Sequence, residues 1–319
     1  MFYPIKIFSD WLSFSLLGLP VDSLGGEAVS YFVYDSIEIT ILLLAIIFAV
    51  SFVRSYLPPE KIKKLLANRF KIVGNVLAAL IGTVTPFCSC SAIPLFIGFL
   101  ESGVPLGVTF SYLVSAPMVN EVAAVLLLGL FGWRVALIYI ISGVVIAIVT
   151  GAIIGKMKLE RWVEDYVWQI KAGRALELEA KNTRVRIKGA WRYTLDLFQK
   201  IFPYVLLGVA VGALIHGYAP ENLLGKLAGR GNILAVPIAV LIGVPLYANA
   251  AGTIPIVRSL IEKGLPLGTA LAFMMAVTAL SLPEMIILRK VLKPKLLAVY
   301  IAILTIGIIF TGYLFNWLI

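Results

Sequence analysis

Hydrophobic residues run along this 319-residue chain in blocks of bilayer length, without the short rhythm of a half-buried soluble element. A helix crosses a hydrocarbon layer of ~30 Å with about 20 apolar residues. Windows of that length fall at 36–56, 106–130, 134–154, 201–217, 267–288 and 296–318. Six spanning helices are predicted there. Two further apolar stretches, 72–100 and 233–261, are about thirty residues each and too long for one span. Each is interrupted in its middle by small, polar and proline residues, Thr83–Ser91 in the first and Gly243–Thr253 in the second. The pieces on either side are too short to cross alone, so the pattern predicts two hairpins dipping into the membrane.

The two interrupted stretches match each other. A shift of 161 residues carries Leu80-Ile81-Gly82 onto Leu241-Ile242-Gly243, Ile93-Pro94 onto Ile254-Pro255 and Glu101 onto Glu262. It also carries Gly103 onto Gly264 and Pro105-Leu106-Gly107 onto Pro266-Leu267-Gly268, ten identities in 28 ungapped positions. The chain reads as a duplication in which each half has three full spans and one broken, re-entrant hairpin. Three is odd, so the second half enters the membrane inverted. The predicted fold is an all-α polytopic membrane protein of two inverted-topology repeats. Its divisions are an interfacial amino-terminal segment (1–34), a first repeat (35–155), a basic linker (156–192) and a second repeat (193–319).

Composition agrees with this class. The chain is 61% hydrophobic and 14% charged, with a mean hydropathy of +0.99; a soluble domain runs nearer ~45–50% and ~25%. The net charge of +10 would suggest nucleic acid in a soluble protein. Here the parity of the spans puts 21 of the 27 Lys and Arg on one face, ten of them in 156–192. That is the positive-inside bias, and it predicts a central loop in the cytoplasm, facing anionic lipid, with no nucleic-acid partner. Within the linker, Trp162, Val163, Tyr166 and Ile170 recur at helical spacing, as an amphipathic helix on the inner leaflet would have them; a solvated basic loop is the competing reading. Residues 4–19, with Trp11, Phe14 and Leu17, read as a second interfacial helix; Asp10 argues against a cleaved signal peptide.

Paired, broken and inverted segments are the construction of secondary transporters, whose site lies where the breaks meet. Irregular backbone persists in a membrane only where protein or a wet cavity satisfies its polar groups. The first break, Thr85-Pro86-Phe87-Cys88-Ser89-Cys90-Ser91, holds both cysteines of the chain. Two thiols in Cys-x-Cys spacing can reach one soft ion, Cu(I), Zn(II) or trivalent arsenic, so Cys88 and Cys90 are the candidate ligands of a metal or metalloid cargo. Inert buried thiols are the competing reading. Pro86, Ser89 and Ser91 flank them as candidate contacts. The second break offers hydrogen-bonding groups instead: Tyr247, Asn249 at the position of Cys88, and Thr253. Two carboxylates lie inside apolar windows, Glu121 after Asn120, and Glu284; each is a candidate coupling group, because an ionisable residue there is expensive. Glu101 and Glu262, at the hairpin exits, read as solvated.

The run Thr85–Pro94, followed by Gly103-Val104-Pro105 and Ser115-Ala116-Pro117, resembles the first signature of the predicted permease family that includes the ArsP-type arsenical permeases. Gly243–Tyr247, Asn249–Pro255 and Gly264 resemble its second. The resemblance implies export of trivalent organoarsenicals or related toxic species from the cytoplasm, with Cys88 and Cys90 as substrate ligands. The chain has no third cysteine to complete a three-sulfur arsenic site.

The expectation is therefore a permease of the inner or plasma membrane, with no cofactor and no enzymatic activity, moving a small thiol-reactive species by alternating access. A channel or a permease for another solute is the first alternative, and a membrane thiol redox protein the second. Neither cargo, coupling ion nor oligomeric state follows from the sequence.

Overall fold

The structure, a computed structural model, describes residues 3–21, 23–54, 71–85, 89–119, 121–165, 167, 183–216, 232, 234–246, 250–262 and 264–318. The described residues are mostly helical, with no strand among them. The helices are α1 (Tyr3–Asp10, continued by a π-helical turn Trp11–Leu16), α2 (Leu24–Arg54), α3 (Lys71–Val84), α4 (Ser89–Glu101), α5 (Leu106–Met118) and α6 (Glu121–Met157). After the linker come α7 (Thr183–His216), α8 (Ala235–Gly243), α9 (Ala250–Glu262), α10 (Leu267–Ala279), α11 (Leu282–Val291) and α12 (Pro294–Leu318). By length and composition, four segments among the described residues suffice to cross a bilayer: Gly25–Ala49, Ala123–Met157, Leu267–Val291 and Pro294–Leu318. The protein is a multi-pass membrane protein.

Both interrupted stretches are a helix, a break and a second helix. Helices α3 and α4, with 14 and 13 residues, reach only ~20 Å at 1.5 Å per residue, short of the ~30 Å hydrocarbon layer. Backbone detail repeats at the 161-residue shift. Helices α4 and α9 have corresponding bounds, as do α5 and α10, while α6 matches α11 and α12 together. Gly103 and Gly264 both adopt positive φ, 79° and 93°, and let the chain turn out of the hairpin. Pro105 and Pro266 then cap the next helix at φ/ψ of −56°/139° and −57°/139°.

Two windows read as single spans are not single helices. Window 106–130 breaks at Val119, whose φ/ψ of −123°/63° ends α5 before α6 starts at Glu121. Window 267–288 breaks at Leu280 and Ser281, between α10 and α11. Hydropathy hides both breaks, because the residues around them remain apolar. Local chemistry causes them: Pro283 occupies the first turn of α11, where its missing N–H costs nothing. Within α6, Gly132 at φ 83° and ψ 171° separates a short first piece from the long second one.

Small residues set the crossings. A methyl on Gly107 would meet the Gly151 carbonyl, so α5 and the long piece of α6 touch backbone to backbone. Gly268 and Gly312 make the equivalent crossing of α10 and α12. There Asn316 adds polar glue, accepting from Gly268 N at 2.8 Å and donating to Thr269 Oγ1 at 3.2 Å. Gly82 and Gly243, just before the hairpin breaks, seat α3 on α5 and α8 on α10.

The halves interlock. Helix α4 packs against α11, and α9 packs against α6; α5 meets α10, and α2 lies along α7. Glu160–Trp162 forms a 3₁₀ turn, after which Val163 pairs with Leu292 in an isolated antiparallel bridge, fully buried. The start of the linker is thus not an amphipathic helix on a leaflet, because its apolar residue is buried against the loop between α11 and α12. Arg289 donates to Glu164 at 3.0 Å and Lys293 to Asp165 at 3.4 Å, which keeps the linker start and that basic loop at one end of the bundle. Tyr166 and Ile170 lie outside the described residues. At the amino terminus, Ser30 donates to Asp10 at 2.6 Å and holds α1 against α2, leaving Trp11, Leu16 and Leu17 exposed.

Candidate functional site

Every helix that stops inside the membrane leaves carbonyls without a partner, and every one that starts there leaves N–H groups. Hydrocarbon supplies no water to satisfy them. The structure answers with bonds between breaks. At the end of α8, Val244 turns the chain through its own N–H to Val240 O, 3.1 Å, and Leu246 N to Gly243 O, 3.0 Å. The Val244 carbonyl then accepts from Leu282 N, the first residue of α11, at 2.8 Å. A hairpin break and a span break are thereby fastened together. In the first half, the Tyr139 hydroxyl donates to Met118 O at 2.9 Å, satisfying a carbonyl at the end of α5.

Helices α4, α6, α9 and α11 each begin at a break. Each start carries the positive end of the helix dipole, and at α11 the Leu282 N–H is already taken by Val244 O. Because α4 packs on α11 and α9 on α6, each hairpin's return helix lies beside the helix that follows the other half's span break. Carboxylates occupy two of these starts. Glu121 is the first residue of α6, and Glu284 lies in the first turn of α11.

Of the candidate residues, Glu284 is 1% exposed and Thr253, in the first turn of α9, is also 1% exposed. Ser89, Cys90 and Ser91 form the first turn of α4. Pro86, Cys88, Asn120, Tyr247 and Asn249 lie outside the described residues. Among those described, no group of three His, Cys, Asp or Glu residues could hold a metal ion. Glu101 corrects the reading of it as solvated: it is 4% exposed and accepts from the Tyr193 hydroxyl, 3.2 Å to either carboxylate oxygen. Its partner lies on α7 in the other half, 92 positions away, where local sequence gives no hint of it.

Sequence reasoning passed over Tyr300. It is 1% exposed on α12, with its ring 5.4 Å from that of Phe110 on α5. A signal was present, since Tyr139 and Tyr300 stand at the same 161-residue shift as the breaks.

Half-length helices, breaks bonded to one another, and the buried Glu284 carboxylate at a helix start define a polytopic membrane protein with a polar site inside its bundle. The chain belongs to a family described as predicted permease, the ArsP_1 family, whose sequence profile matches residues 25–317. The resemblance read from its motifs holds. It is 24% identical over 303 residues to the UPF0718 protein MJ0584 of Methanocaldococcus jannaschii, covering 78% of this chain and 83% of that one. It is 26% identical over 233 residues to the UPF0718 protein YraQ of Escherichia coli, covering 72% and 63%. A Streptococcus mutans protein described as a putative two-component membrane permease complex subunit is 22% identical over 252 residues, covering 78% and 82%. No solved structure matches the chain.

Proposed function

We propose that this permease exports a small thiol-reactive metalloid or soft metal species, such as a trivalent arsenical, by alternating access between two oppositely inserted halves. The observation that carries the reading is the place of the cysteines. Both stand at the break between α3 and α4, and Cys90 is in the first turn of α4. A helix start favours the thiolate, which is the form that ligates soft ions. Thr253 and Asn249, at the matching start of α9, supply oxygen and nitrogen groups from the other half. In this reading the basic central loop faces the cytoplasm of a cell whose inner or plasma membrane holds the protein, and Glu121 and Glu284 couple transport to an ion gradient.

The test is growth of a transporter-deficient host on methylarsenite, comparing the wild-type chain with Cys88→Ser and Cys90→Ser at equal membrane abundance. Protection by the wild type and its loss in both variants is expected. Equal protection by all three would remove the thiols from the mechanism. The name of the Streptococcus mutans relative supports a second reading, in which this chain is one component of a two-component permease. Methylarsenite flux by the purified single chain in liposomes would oppose it.

A further inference from the structure

We propose that the groove between α6 and α12 seats one acyl tail of a phospholipid whose phosphate rests on Arg134. The site goes beyond the transport reading and holds whatever the cargo is.

The groove has a volume of about 540 Å³, within the range of about 300–1,000 Å³ that ligand sites occupy. Its wall is drawn from two spanning segments, Ala123–Met157 and Pro294–Leu318. All six wall residues from α12 have their repeat mate, 161 positions earlier, in the wall from α6. Val145 thus matches Ile306, Ile146 matches Gly307, and Val149 matches Phe310. The groove is built from the same element of each half. At its floor Ile146 meets its own mate: a methyl on Gly307 would stand 3.2 Å from the Ile146 side chain. Both residues fall near the middle of their helical pieces, 133–157 and Pro294–Leu318. The floor is therefore at mid-depth in the hydrocarbon layer, where lipid tails are the solvent.

What covers the groove follows from its walls. Val145, Val149, Ile306 and Phe310 stand exposed along it, so it is continuous with the surface that meets the bilayer. A further transmembrane helix needs small residues to approach closely. Those of α6 and α12 are spent on the inside, where Gly151 and Gly155 face Gly107, and Gly312 faces Gly268. Branched and aromatic walls leave a dry seat for a flexible apolar chain, and in a bilayer that chain is a lipid tail.

Charge selects the lipid. Arg134 precedes Ile138, Ile141 and Val145 of the wall at i+4, i+7 and i+11, so it heads the same stripe of α6. It is exposed, with its guanidinium 5.7 Å over the Trp133 ring. The Val163–Leu292 bridge brings the chain just after α6 to the start of α12. The two helices therefore run antiparallel, and Trp317 shares Arg134's end of the groove. Trp133 and Trp317 are both exposed there, as aromatic rings at a membrane interface are. A guanidinium at that level takes a phosphate in a two-pronged hydrogen bond. One helical turn further on, the tail enters the groove at Ile138. Rocking of one repeat against the other would widen or narrow this seat.

Native mass spectrometry of the full chain, stripped of lipid in detergent and titrated with dioleoyl-phosphatidylglycerol, reads the site without any cargo. The wild type is expected to retain one lipid. Val149→Trp and Ile306→Trp fill the groove from either wall at exposed positions. Each should weaken binding about tenfold, the worth of roughly two buried methylenes. Leu137→Trp, exposed on α6 outside the groove, should bind as the wild type does. Arg134→Gln should weaken phosphatidylglycerol and leave dioleoylglycerol, which lacks the phosphate, unchanged. No retained lipid in the wild type, undiminished binding in both filled variants, or an equal loss in Leu137→Trp would each overturn the proposal. So would an unaltered affinity in Arg134→Gln. A dimer of the chain that both filling tryptophans dissociate would also overturn it, by putting a second copy in the groove.

Discussion

The residues that matter most are those that satisfy backbone groups stranded inside the bundle. Tyr139 is one: its hydroxyl is the group that meets the carbonyl of Met118. Replacing it with Phe keeps the ring and strands that carbonyl, so Tyr139→Phe should destabilise the protein by about 1–3 kcal/mol, measured as a lower unfolding midpoint in detergent. An unchanged midpoint would mean that the bond is not formed. At this scale the sequence was legible where chemistry is scarce. Two cysteines in 319 residues draw attention to one break, and Glu284 stood out as an acid in an apolar window. It was silent where burial depends on a distant partner. Glu101 looks like any solvated acid at a hairpin exit until Tyr193, on a helix of the other half, closes over it. Tyr300 could have been found, by extending the repeat register beyond the hairpins.

At the scale of elements, hairpin breaks were readable and span breaks were not. The hairpins announce themselves through a cluster of polar, Gly and Pro residues inside about thirty apolar ones. The breaks at Val119 and at Leu280–Ser281 carry one or two polar residues each and leave the hydropathy of their windows intact. Only Pro117, Pro283 and the acids that follow hint at a helix end and a new start. Glycine crossings were equally quiet, although they fix how the pieces pack. Gly107→Ala and Gly268→Ala would each drive a methyl into facing backbone, and should lower stability by about 1–3 kcal/mol. Gly189→Ala, in a helix with nothing near its new methyl, should be neutral or stabilising by up to ~1 kcal/mol. Thermal unfolding of the three variants checks the contrast; equal effects would dissociate the glycines from the packing of α5 on α6 and α10 on α12. The linker misled for a different reason. Its helical spacing was genuine, but Val163 found a bridge to Leu292 that lies more than a hundred residues away.

At the scale of the whole molecule, the length of the apolar blocks and the 161-residue register were enough to give the all-helical, multi-pass class and the correspondence of the halves. What they could not give is how the halves interlock, since the packing of α4 on α11 and of α9 on α6 joins segments far apart in the chain. That interlock lays each hairpin's return helix beside the helix that follows the other half's span break. The most direct test of a wet site there is alkylation by a small, membrane-impermeant thiol reagent in sealed vesicles of both orientations. One target is Cys90 in the Cys88→Ser chain; the other is a Thr253→Cys substitution in a chain carrying Cys88→Ser and Cys90→Ser. The account predicts that both positions react through an aqueous path from at least one face, and that methylarsenite slows the labelling of Cys90. Labelling at neither position from either face would mean breaks sealed in hydrocarbon, and would contradict it.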